Sequence, residues 1–79
     1  MTDNGKIILK FLQDNVDVKL WKSKDLAEQI GLSSRCVSGT LRKLVNDGFC
    51  DKLGASPIIY CLTEKGKNYK IVIEENNDM

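Results

Sequence analysis

The sequence predicts an α+β domain that is mostly α: three helices, then a two-stranded hairpin, then a C-terminal helix. Three observations point there. Apolar residues recur at helical spacing through the first half of the chain, most clearly Val37, Leu41, Leu44 and Val45 at i, i+4, i+7 and i+8. At Phe49 the pattern changes to two strand-like runs, FCDKL and IIYCL, parted by the turn formers of GASP. A chain of 79 residues, 42% hydrophobic and 29% charged, suffices for one modest core and leaves little room for an enclosed cleft.

Taken in order, Ile7, Ile8, Phe11 and Leu12 predict a first helix over residues 4–15, with Thr2, Asp3 or Asn4 as its N-cap. NVDVKLW then alternates briefly, which predicts a very short strand over residues 19–21. Ser23 is placed to cap a second helix whose Asp25 suits the positive end of the dipole. Leu26, Ala27 and Ile30 form its apolar face, and Gly31 supplies a left-handed stop. Ser33 or Ser34 caps the third helix, and Gly48 ends it. In the hairpin, pairing Leu53 with Ile58 sets Cys50 opposite Cys61. Thr63 caps a last helix starting at Glu64, with Tyr69, Val72 and Ile73 facing inward, although Gly66 near its start weakens it.

No repeat or linker divides the chain, so residues 1–73 are expected to form one domain and residues 74–79 an acidic, flexible tail. That tail holds Glu74, Glu75 and Asp78; without its three negative charges the net +1 of the chain becomes +4 over residues 1–73.

Two helices joined by a tight Gly-containing turn, the second amphipathic, make a helix-turn-helix, and the hairpin that follows adds a wing. Ala27 falls where the helices approach, Gly31 turns the chain and Leu32 fills the junction. Residues 23–48, followed by FCDKL, GASP and IIYCLTEKGK, resemble the winged helix-turn-helix of bacterial and archaeal transcription regulators, including the MarR-like group. YCLTEKG, residues 60–66, is similar to the way such domains leave the second wing strand and enter the next helix. The resemblance covers about residues 5–70. It implies double-stranded DNA as the partner, a third helix (34–47) in the major groove, and a homodimer on half-sites about one helical turn apart. There are two departures: the long flanking helices that build the MarR-like dimer have no counterpart in these 79 residues, and GASP is shorter and less charged than the wing tip of that group.

At about 100° per residue, the third helix sets its apolar residues on one side and Arg35, Gly39, Arg42 and Asn46 on the other, flanked by Ser38 and Lys43. A glycine there costs roughly 1 kcal/mol relative to Ala, which is understandable if a partner must come close. Arg35 and Arg42 carry forks suited to guanine or phosphate, and Ser33, Ser34 and Ser38 are small donors. No acid occurs in residues 33–45, where one early in the helix would be stabilising. Lys43, with Lys22, Lys24 and Lys52 on neighbouring elements, suits sequence-independent contacts to a phosphate backbone.

Other functions find less support. With no His and only scattered carboxylates there is no catalytic constellation, so no enzyme activity, cofactor or small-molecule substrate is expected. Three cysteines without paired spacing argue against a zinc site and fit free thiols in a reducing, cytoplasmic setting. No apolar run approaches a membrane span. Trp21 and Tyr60 are expected in the core rather than stacked on bases. The competing function is a winged helix used as a protein-interaction module, including a viral or plasmid-borne modulator of a host transcription component. A net charge near zero and the uncharged wing tip favour that alternative.

Overall fold

The computed structural model describes residues 2–18, 20–54 and 58–71. Thr2 opens α1 (Asp3–Asp14), its hydroxyl accepting the Gly5 amide at 3.1 Å. α3 packs across the side of α1 that carries Gly5, Ile8, Leu9 and Leu12, all buried. The sequence pattern is right at Ile8 and Leu12, and Phe11 packs against the core, but it takes Ile7 where Leu9 belongs. Leu9 faces the core with no exposure, whereas Ile7 is 47% exposed and Phe11 only half-buried. Both sets satisfy helical spacing, and only the direction from which α3 approaches selects between them.

α2 (Ser23–Ile30) starts one residue earlier than expected: Ser23 is its first helical residue, and Lys22 holds the cap position without a side-chain hydrogen bond. Its end conforms to expectation. Gly31 takes a φ of 87°, and the Gly31 and Leu32 amides both donate to the Ala27 carbonyl, at 2.8 and 3.1 Å. α3 (Ser34–Asn46) is capped by Ser33, whose hydroxyl accepts the Cys36 amide at 3.1 Å. Val37, Leu41 and Leu44 are buried, and α3 is the hub that α1, α2 and the first strand all touch.

β1 (Cys50–Leu53) and β2 (Ile59–Leu62) pair antiparallel. The register is one residue off the expected one: Leu53 lies opposite Ile59, which sets Cys50 against Leu62 and Cys61 against Asp51. Because successive strand residues face opposite sides, that slip puts the two cysteines on opposite faces of the hairpin. They are not a cross-strand pair. The strand expected at residues 19–21 reduces to one bridge, in which Trp21 and Tyr60 exchange both backbone hydrogen bonds at 2.9 and 2.8 Å; Lys19 lies outside the described residues. Trp21 stands edge-on to Phe11, ring centroids 5.4 Å apart, and Tyr60 is buried, so both serve the core.

Thr63 caps α4 (Glu64–Asn68), accepting the Gly66 amide at 3.0 Å. This helix is shorter than expected, and the chain is already extended at Tyr69. Tyr69 is 39% exposed, with its ring against Phe49 at 4.6 Å, while Ile71 packs on the core. Val72, Ile73 and the acidic residues 74–79 lie outside the described residues. Gly66 is a requirement rather than a weakness: a Cβ there would run into the Phe49 carbonyl oxygen and the Leu62 side chain.

Candidate nucleic-acid interface

The expected face of α3 is assembled in the structure. Ser33, Ser34, Arg35, Gly39, Arg42, Lys43 and Asn46 are exposed, and Ser38 is half-buried at the edge next to Val45. Gly39 opens onto free space: apart from its chain neighbours and its own helix backbone, no described atom lies within 4 Å of where a Cβ would stand. Since the backbone there is ordinary helix, the glycine answers no constraint within the fold.

The charge on this face enters no ion pair among the described residues. Among the described residues the ion pairs are Lys10–Asp14 and Lys67–Glu64, both exposed and both on other helices. Neither guanidinium of α3 enters one, and its first turn holds no acid. Lys43 sits toward α1, sharing a shallow cleft with Thr2, Gly5, Thr40 and Asp47. Lys22 and Lys24 are exposed at the start of α2, and Lys52 is exposed on β1.

Two residues that steady this helix escape a reading of the sequence for chemistry. Thr40 donates its hydroxyl to the Cys36 carbonyl at 2.9 Å, a local i to i−4 bond that residue type and spacing alone would have suggested. Asn4 donates its side-chain amide to the Cys36 sulfur at 3.1 Å, joining the start of α1 to the flank of α3 across 32 residues. No sequence signal announces that contact.

All three cysteines are free thiols. Burial, reinforced by the nearby Cys61 and Asp51, pushes the Cys50 thiol up to about 12, so its reactive thiolate is suppressed at neutral pH. Among the described residues no group of three or more acidic, Cys or His side chains is arranged to hold a metal ion. No described helix is long and apolar enough to cross a membrane.

Comparison with known proteins adds the fold's relatives. No family model matches the chain, and no curated protein sequence is significantly similar to it. Among solved structures, NadR in complex with 4-hydroxyphenylacetate superimposes with a TM-score of 0.70 at 25% identity, over 85% of this chain and 48% of that one. MepR, a transcription regulator of the Staphylococcus aureus multidrug efflux pump MepA, superimposes with a TM-score of 0.71 at 20% identity, over 85% of this chain and 50% of that one. Both are MarR-family winged-helix transcription regulators. The chain has a MarR-like winged helix-turn-helix fold. In this MarR-like frame α2 and α3 are the helix-turn-helix pair and β1–β2 is the wing. The chain spans about half the length of the MarR-family structures it matches.

Proposed function

We propose that this MarR-like domain is a sequence-specific reader of double-stranded DNA in a small cytoplasmic transcription regulator, with α3 lying in the major groove. The observation that carries this reading is the face of α3. It is exposed, free of acids, furnished with two arginines that enter no ion pair among the described residues, and bare at its centre. Arg35 and Arg42 are the candidates for base edges or phosphates, and Ser33, Ser34 and Ser38 for short hydrogen bonds at the start of the helix. Gly39 lets the helix backbone approach the groove floor. Lys43, Lys22, Lys24 and Lys52 supply contacts that hold position without reading sequence.

Two copies on half-sites about one turn apart would give such a short helix its specificity. Ile7, 47% exposed on the outer side of α1, is a candidate for the surface that joins them. The experiment is a binding-site selection from random duplex, followed by titration of the selected duplex at two salt concentrations. The expected result is affinity that falls steeply with salt and is lost in the Arg35→Ala, Arg42→Ala double variant. Equal, weak binding by wild type and double variant would discard α3 as the reading head. Absence of any duplex binding at low salt would favour the protein-interaction module, for which the exposed Leu53 and Ile58 of the wing offer an apolar surface.

A further inference from the structure

The C-terminal end of α3 is held from outside its own helix. Lys65 donates its ammonium to the Asp47 carbonyl at 2.8 Å and lies 4.9 Å from the centre of the Phe49 ring. Thr63 donates its hydroxyl to the Gly48 carbonyl at 2.7 Å, and its amide to the Phe49 carbonyl at 3.0 Å. Gly66 presses its backbone against that same Phe49 carbonyl, and the Tyr69 ring packs tilted at 52° against the Phe49 ring. Three consecutive residues after α3 are therefore all bonded to α4 or to its N-cap, Thr63.

That turn is itself tied to α1. The Gln13 side-chain amide donates to both the Gly66 carbonyl at 2.8 Å and the Tyr69 carbonyl at 2.9 Å. It satisfies two carbonyls at the end of a one-turn helix too short to bond them internally. The geometry points to α4 as a latch, with Gln13 and Lys65 as positioning residues: the latch makes α1, the backbone at residues 69–71 and the end of α3 move as one body. The Arg35–Gly39–Arg42 face is then aimed from the opposite end of its helix, by residues that touch no DNA. Only the DNA consequence rests on the function proposed above.

Amide hydrogen exchange and DNA titration of the full chain separate the two claims. Gln13→Ala is expected to speed exchange at Asp47, Gly48 and Phe49, whose amides bond back to Lys43, Val45 and Leu44, by at least about fivefold. Leu26 and Gly31 of the α2 segment should keep wild-type rates. Unchanged rates at Asp47–Phe49, or a uniform rise across the chain, would overturn the latch whether or not DNA binds. Lys65→Met is expected to weaken binding to the selected duplex by about threefold to tenfold while leaving random-duplex binding at low salt within twofold. Lys65→Arg, which restores donor and cation, should recover it. An arginine variant no better than methionine, or an equal loss on both duplexes, would refute the positioning role. If wild type binds no duplex, the DNA reading fails and the exchange measurement alone decides the latch.

Discussion

Gly39 and Gly66 are both glycines inside helices, and they lack a side chain for opposite reasons. At Gly66 the space is already filled: the Phe49 carbonyl and Leu62 occupy the position a methyl would need. At Gly39 the space is empty, with no neighbour within 4 Å. The first glycine closes the fold and the second leaves it open. A missing side chain is thus informative only once its surroundings are known, and the open one, on an acid-free, arginine-bearing face, is where the proposed DNA contact would be made.

The largest effect that would break this contrast is at Gly66. Overpacking a tight site typically costs 1–3 kcal/mol, and here the obstacle is backbone that cannot swing away, so Gly66→Ala is expected to lose about 3 kcal/mol or more by chemical denaturation. A loss under about 1 kcal/mol would mean that α4 can shift off Phe49 and β2, and the latch would lose its rigid seat. Next, Arg35→Ala and Arg42→Ala should each weaken specific DNA binding by roughly 1–3 kcal/mol with unchanged melting temperature. Ser33→Ala removes the α3 cap and should cost about 1 kcal/mol of stability. Gly39→Ala should do the reverse, stabilising the fold by roughly 0.5–1 kcal/mol in the same measurement, because Ala is the better helix former and meets nothing there.

The smallest effect is chemical. Cys50, 1% exposed and with its thiol pushed up to about 12, should be the slowest of the three cysteines to alkylate at neutral pH, as mapped by mass spectrometry. Its folded pKa is raised, so its contribution to stability is intact below about pH 9 and fades as pH climbs toward 12. A Cys50 that alkylates as fast as half-buried Cys36 would show that the hairpin opens readily.

What the sequence made legible follows from distance along the chain. The α2 turn and the α3 face were readable because their signals lie within one or two turns: Gly31 with Leu32, Ser33 with Cys36, and Arg35, Gly39 and Arg42 on one wheel. The α1 stripe was ambiguous because Ile7 and Leu9 are equally apolar, and the choice belongs to α3, more than twenty residues on. The hairpin register was ambiguous because the strand-like runs on either side of GASP admit neighbouring pairings. In the observed register Tyr60 pairs with Lys52 on one side and bridges Trp21 on the other. Gly66 looked like a helix fault because its reason, the Phe49 carbonyl, sits across a strand pair. Gln13 and Asn4 gave no signal at all, since in the sequence an amide on a helix resembles any solvated residue until its distant acceptor is known.

The measurement closest to the central claim is DNA affinity of Gly39→Glu beside its thermal unfolding. The expected result is a melting temperature within a few degrees of wild type, because the added side chain points into open space, together with loss of duplex binding at every salt concentration. Wild-type affinity in a stably folded Gly39→Glu variant would contradict it, leaving the open face of α3 as surface that no DNA approaches.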